Sequence, residues 1–277
     1  MSVLPEKIID FHTHLFPDKL IDAIWDKFLI DYKWDVLYRL YYRESVDFLN
    51  KHHVSPVVYS NYAHKKGVAE GLNRWNMKVL DEIPNLYCFA AIHPDDDNYM
   101  EIAKNIISHP NVLGFKLQHL VQNFYPYDER LFPLYDLVIE KGKRILFHAG
   151  TGPVGNPYVG IRNFEKMLKK YPDIPANIAH MGAFECKEFM DLLEDHKNLY
   201  FDTSFTFFKR ADMGFNLDPS YLERNKNRIL YGSDFPNLIF PREEEIDTIV
   251  GLGLSSEFYQ NIFFDNGMEL IKRHSAV

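Results

Sequence analysis

The sequence predicts an α/β chain folded as a closed (β/α)8 TIM barrel, with an aromatic-rich helical insertion after strand 1. Three observations predict it. Eight short runs rich in β-branched and aromatic residues recur along the 277 residues, at about the thirty-residue spacing of a βαβ unit. Stretches of helical pattern separate them, and that alternation builds a parallel sheet. A doubly wound sheet, the competing architecture, normally carries a Gly-rich phosphate turn after its first strand; here the chain reads His14-Leu15-Phe16-Pro17.

The strand-like runs cover 8–14, 54–62, 86–94, 112–118, 144–150, 175–182, 199–204 and 228–236. Between them, 67–83, 98–108, 128–141, 162–171 and 186–196 read as helices. The first interval is the longest and holds Trp25, Phe28, Tyr32, Trp34, Tyr38, Tyr41 and Tyr42. In a barrel such an insert rises from the C-terminal rim, where active sites are built. Two readings stay open. The rings form a lid or pocket wall for an apolar substrate, or they pack the insert on itself or on a neighbouring subunit of a homo-oligomer. With no linker or low-complexity segment in view, one domain over 1–277 is expected.

Composition narrows the function. The chain is 46% hydrophobic and 25% charged, ordinary for a soluble globular protein. A net charge of −8 discourages binding to nucleic acid or an anionic membrane. No apolar run approaches the roughly 20 residues that span a bilayer. The N-terminal segment lacks a basic stretch followed by an apolar one, so a cytoplasmic location and a small-molecule substrate are expected. Cys88 and Cys186 fit no metal or redox spacing and read as buried, reduced thiols.

Asp10, His12 and His14 occupy alternate positions at the end of strand 1. Side chains at i and i+2 of a strand share a face, so both imidazoles are expected to enter the barrel mouth and grip Zn²⁺ or a similar ion. Asp10, one step deeper, either orients a ligand or serves the barrel layer. A His-x-His alone is a modest signal, but the pattern recurs. His148 closes strand 5 after Leu146-Phe147, His180 closes strand 6 after Ile178-Ala179, and Asp234 follows Gly232-Ser233 on strand 8. A lone histidine at a strand end is more often a hydrogen-bonded rim residue than a ligand. Four histidines and an aspartate, all at C-terminal strand ends, point instead to a catalytic metal site.

These segments resemble the amidohydrolase superfamily, specifically its amidohydrolase family 2 branch. The resemblance covers almost the whole chain. It rests on Ile9-Asp10-Phe11-His12-Thr13-His14, Gly114-Phe115-Lys116-Leu117, Leu146-Phe147-His148-Ala149-Gly150, Ala179-His180-Met181-Gly182 and Tyr231-Gly232-Ser233-Asp234-Phe235-Pro236. It implies that His12, His14, His148 and Asp234 are metal ligands. His180 is then a ligand of a second ion or a hydrogen-bond partner of the reacting group. It also implies a metal-dependent hydrolase, in which a divalent ion, Zn²⁺ in the first instance, lowers the pKa of water to about 7. Asp234 would move the proton and the metal or His180 would polarise the carbonyl, cleaving an amide, lactone or related C–N or C–O bond. Resembling enzymes of the same branch are nonoxidative decarboxylases of aromatic acids, and the aromatic insert favours that alternative. A TatD-like metal nuclease is the lesser one, since those enzymes place a glutamate after strand 4 where this chain has Lys116.

Lys116 is inward by the same parity as Gly114, and a lysine inside a barrel is costly unless paired. Three roles stay open: a carbamate bridging two ions, as the resemblance implies for several branches; an ammonium facing a substrate carboxylate; or a structural lysine paired with an acid. One ion is expected, or two if Lys116 is carbamylated. Gln118 and His119 follow it and are expected to face substrate. His93, closing strand 3, is a further substrate-contact candidate, although a rim role is the stronger reading. The loop 150–155 is not a P-loop, lacking the Gly-Lys-Ser/Thr ending, and is expected to let backbone approach the substrate. His64 begins the loop after strand 2. His52, His53, His109, His196 and His274 are expected at the surface.

Overall fold

The computed structural model describes residues 3–210 and 214–275, whose eight parallel strands follow one another in the order β1 to β8. They are β1 (Ile8–His14), β2 (Val54–Ser60), β3 (Leu86–Ala91), β4 (Val112–Gln118), β5 (Arg144–His148), β6 (Ala176–Ile178), β7 (Leu199–Asp202) and β8 (Ile229–Leu230). Past β8 the chain runs on beside β1: Phe11 N donates to the Tyr231 carbonyl (2.9 Å), Asp234 N to that of His12 (2.7 Å) and His14 N to that of Phe235 (2.7 Å). These bonds bring the sheet to a nearly closed barrel.

The chain between β1 and β2 forms α1 (Asp18–Tyr32) and α2 (Tyr42–Lys51). There follow α3 (Ala69–Glu82), α4 (Tyr99–Ile107), the short α5 (His119–Gln122), α6 (Phe132–Glu140), α7 (Ile161–Lys170) and α8 (Cys186–Asp191). The C-terminal third adds α9 (Ser220–Arg224), α10 (Arg242–Val250), α11 (Ser256–Gln260) and α12 (Asn266–Ser275). Local chemistry marks their starts. Glu243, Glu244 and Glu245 fill the first turn of α10, where the helix dipole favours negative charge. The Ser255 hydroxyl accepts the Phe258 N–H to cap α11 (3.0 Å). No helix among the described residues is long and apolar enough to cross a membrane.

Register slips on β1 and β4 correct the simple alternation expected for them. The pairing of β1 with β2 shifts between Ile8 and Asp10 and again between Asp10 and Thr13. Ile9 and Phe11 join the inner cluster with Val58, Phe89 and Leu146, and His12 and His14 continue the inward face from there. Asp10 therefore does not share the histidines' face. Its carboxylate accepts the Ser233 N–H (3.0 Å) and hydroxyl (2.5 Å) and lies 4.0 Å from the Arg242 guanidinium of α10. On β4 a slip places Gly114 opposite Phe89. At φ 149°, a Cβ on Gly114 would stand 1.6 Å from the Arg144 carbonyl oxygen, so only glycine fits there. Bulges of this kind re-aim side chains beside active sites.

The far end of the barrel corrects a second expectation. His274 of α12 is buried, not on the surface. It accepts a bond from Lys143 Nζ on its carbonyl (2.6 Å) and donates Nδ1–H to the Gly142 carbonyl, while Leu270 and Ile271 of the same helix plug the inner cluster.

Burial lowers the pKa of His119 and of His274 to about 4. The unfolded value lies near 6.5, so between those limits the unfolded chain binds more protons and stability falls as pH falls. The thermal midpoint is expected to hold from about pH 8 to 7 and then decline between about pH 6.5 and 4. A His274→Gln chain should decline less; melting curves across this range that do not differ between the two proteins would refute that contribution.

Candidate metal centre

Three imidazoles at the barrel mouth are tethered through the same ring atom. His12 Nδ1 donates to Asp202 Oδ2 (2.9 Å), His14 Nδ1 to the Ser60 carbonyl (3.1 Å) and His180 Nδ1 to the Ser204 carbonyl (3.0 Å). A neutral imidazole that donates from Nδ1 carries its lone pair on Nε2. The Nε2 atoms of His12 and His14 lie 3.5 and 3.0 Å from Asp234 Oδ1. Ligand atoms of His12, His180 and Asp234 all fall within 4.8 Å of one another. Both His180 (φ 56°) and Asp234 (φ 68°) hold left-handed backbone, which costs a non-glycine residue of order 1–3 kcal/mol and recurs at functional sites. It also ends strands 6 and 8 earlier than the sequence suggests, because the motif residues belong to the rim loops.

Burial sets the charge states. It lowers His12 to about 4, against an opposing pull from Asp202, and it lowers His180 and His148 as well. These rings are therefore neutral at pH 7, with lone pairs available. Asp234 lies below the usual carboxylate range: burial would raise its pKa, but the closeness of His14 and then His12, with a proton or a cation shared between their Nε2 atoms and Oδ1, opposes it. Asp202 is held low in the same way by His12.

The donors fit a divalent cation. Two ligands each about 2.1 Å from a tetrahedral ion stand about 3.4 Å apart, and the Asp234 contacts of 3.0 and 3.5 Å are of that size. Nitrogen and carboxylate donors suit several first-row ions, and tethered far nitrogens are the usual support of histidine ligands. His148 differs from the other three. Its Nε2 donates to the Gly152 carbonyl (2.9 Å), leaving Nδ1 as its free atom, and its ring centroid is 4.8 Å from that of His180.

Lys116 is fully buried, with Nζ 3.3 Å from His12 Nε2 and a pKa brought down to about 8 by burial. No carboxylate stands within 4.0 Å of it among the described residues, so pairing with an acid finds no support.

A cavity of about 70 Å³ opens over the centre, lined by His14, His148, His180, Asp234, Gln118, Asn237 and the rings of Phe28, Tyr32, Trp34, Tyr62 and Phe205. Gln118 thus reaches the position expected of it. His93 and His119 do not line the cavity. His119 is sandwiched by Phe124 and Phe147 with Nδ1 on the Phe124 carbonyl (2.8 Å), and His93 accepts the Asp95 N–H beside Phe124 (3.2 Å). The insert divides likewise. Phe28, Tyr32 and Trp34 face the cavity, while Trp25 stacks on Tyr41, Tyr38 packs on Phe48 and Tyr42 on Trp75.

Sequence reasoning missed Asp202, Ser204, Tyr62 and Asn237. Asp202 carried a usable signal, since it ends strand 7 as the other motif residues end theirs. Its Oδ1 accepts the His180 N–H (3.0 Å) and the Ser204 hydroxyl (2.5 Å), so one carboxylate positions two of the three imidazoles.

Fold and site together define a parallel α/β barrel with a histidine–aspartate centre at the C-terminal ends of its strands. The chain belongs to the amidohydrolase family, whose profile matches residues 9–270. Comparison with curated proteins finds no matching sequence. Among solved structures it is similar to an uncharacterised TIM-barrel protein from Bordetella bronchiseptica, with a TM-score of 0.75 and 15% identity over 97% of this chain and 99% of that one. It is similar to 5-carboxyvanillate decarboxylase from Novosphingobium aromaticivorans, complexed with manganese and 4-hydroxy-3-methoxy-5-nitrobenzoic acid (TM-score 0.67, 11% identity, 98% and 99% covered). A third is a putative 2-pyrone-4,6-dicarboxylic acid hydrolase from Pseudomonas putida (TM-score 0.61, 18% identity, 98% and 99% covered). At these identities the likeness is one of fold.

Asp202→Asn removes the charge behind His12 with little change of shape. Affinity for Zn²⁺, measured by competition with a chromophoric chelator, is expected to fall about 10- to 100-fold while the far-ultraviolet circular dichroism is kept. Unchanged affinity would remove the tethering role.

Proposed function

We propose that the protein is a metal-dependent hydrolase that cleaves an amide, lactone or related C–N or C–O bond of a small molecule. The observation that carries this reading is the convergence of tethered, lone-pair-bearing imidazoles on one ionised carboxylate at the cavity floor. His12, His14 and Asp234 would hold the ion, with His180 and the free Nδ1 of His148 completing its shell. Bound there, a divalent ion, Zn²⁺ in the first instance, supplies Lewis acidity and a water whose pKa falls to about 7.

The chain's own residues do the rest. Asp234 Oδ1 is turned to His12 and His14, which leaves Oδ2 as the oxygen that would take a proton from water and return it to the leaving nitrogen or oxygen. His180 already donates from Nδ1 to Ser204, so its Nε2 has no proton with which to polarise a carbonyl. It serves as a ligand or accepts a hydrogen bond from water or substrate. Gln118 and Asn237 offer amide groups to orient the substrate. Lys116, its amine partly neutral near pH 8, either carries a carbamate, adding a ligand for a second ion, or stays an ammonium facing a substrate carboxylate. Intact mass separates the two by one CO₂. The free, buried thiols of Cys88 and Cys186 suit a reducing, cytoplasmic setting.

Nonoxidative decarboxylation of an aromatic acid is the second reading, favoured by the rings of Phe28, Tyr32, Trp34, Tyr62 and Phe205 around the cavity. Metal-loaded protein given aryl lactones and N-acyl amides should open or cleave them. Release of CO₂ from aromatic acids, with no hydrolysis of the first panel, would transfer the assignment to the lyase. For either reaction Asp234→Asn should keep part of the metal and lose at least about 100-fold in turnover; near-normal turnover in that variant would refute the proton-transfer role.

A further inference from the structure

Beyond the cavity that holds the centre lies a larger one, about 380 Å³ against about 70 Å³. The two share Tyr32, Trp34, Pro153 and Phe205 as a common wall. Trp34 comes from the insert and Phe205 from the chain after β7, and their rings lie nearly parallel, 7° apart with centroids 5.5 Å from each other. They make a flat aromatic partition between an inner and an outer chamber.

Eight of the ten residues that line the outer chamber are apolar or aromatic, and its charged side chains are paired among the described residues. Val154, Phe184, Ile239 and Phe240 line it, and Val154 and Phe184 are 55% and 51% exposed despite their size. Large apolar side chains left exposed together at the mouth of a site mark a surface that a ligand covers. The two charged side chains present are already matched. Arg210 reaches both carboxylate oxygens of Glu244 (2.6 and 2.7 Å) and stacks 4.4 Å over the Phe240 ring, and Asp31 is paired with Lys27. Among the described residues an anionic group would find no unpaired cation there, whereas a hydrocarbon chain would find mostly apolar side chains.

We propose that the outer chamber is a substrate subsite for an alkyl or aryl tail: the reacting bond sits at the centre, and the tail passes the Trp34–Phe205 partition into the space bounded by Val154, Phe184, Ile239 and Phe240. The inference rests on the reading of the centre given above for the position of the head group, and on the chamber itself for the tail.

Two hydroxamic acids test it. Acetohydroxamic and octanohydroxamic acid share a metal-chelating head and differ by six methylenes, each worth about fourfold in affinity when buried. Titration calorimetry on zinc-loaded protein is expected to find the longer acid bound at least about 50-fold more tightly. In Val154→Asp and Phe184→Asp, both at half-exposed positions that the fold tolerates, that ratio should collapse to below about fivefold. A ratio under about threefold in the native chain, or an undiminished ratio in both variants, overturns the subsite. Zinc-dependent binding of both acids without any tail gain leaves the metal centre standing and the subsite refuted. Binding of octanohydroxamic acid alone, indifferent to zinc and lost in the variants, upholds the subsite and refutes the metal reading.

Discussion

One buried carboxylate holds the mouth of this barrel together. Asp202, at the end of β7, accepts hydrogen bonds from the His12 ring, the His180 backbone and the Ser204 hydroxyl. Those partners belong to β1, to the turn after β6 and to the chain after β7, so a single side chain ties three parts of the rim. An ionised carboxylate without water is costly unless its lone pairs are filled and a compensating charge or dipole lies near; here the donors are filled in. The same bonds dictate chemistry, because a proton committed to Asp202 on one side of His12 leaves the lone pair on the other.

Charge in the centre follows from that arrangement. Asp202 and Asp234 are both ionised, the His12, His148 and His180 imidazoles are neutral, and Lys116 is the one amine beside them among the described residues. The buried group therefore carries net negative charge whether Lys116 is an ammonium or a neutral amine, and a divalent cation would relieve it. Asp10 and Arg242, close to the centre but on the helix side of β1, do not add to this balance in the same way. Burial raises Asp10 to about 6 while Arg242 opposes it, and its hydrogen bonds to Ser233 serve to seat the loop that carries Asp234.

Around the centre, the cavity wall is largely apolar. The segment after β1 gives three rings to the inner cavity and packs the others on itself, on Trp75 of α3 and on Phe235. Trp34, stacked against Phe205, makes the insert part of the site as well as part of the wall. The polar groups that reach the cavity are few, chiefly Gln118, Asn237 and the centre itself, as in a pocket where hydrophobic burial supplies affinity and a small number of polar contacts set orientation.

Much of this was legible in the sequence. Strand–helix alternation at βαβ spacing is a local property of the chain, and so is the placement of His12, His14, His148, His180 and Asp234 at strand ends. Both could be read from the chain alone because hydrophobic periodicity and turn residues act over a few positions. What lies across the barrel could not be read so. The bulges that turn Asp10 away from His12 and free Gly114 for the Arg144 carbonyl depend on how neighbouring strands register. The burial of His274 depends on α12 closing the far end, and the withdrawal of His93 and His119 depends on Phe124. Asp202's partners stand 190 and 22 residues away along the chain. The sequence by itself determined which side chains reach the rim. Only the tertiary structure decided which ring nitrogen each histidine presents, since that choice is made by hydrogen-bond partners that distant strands bring alongside.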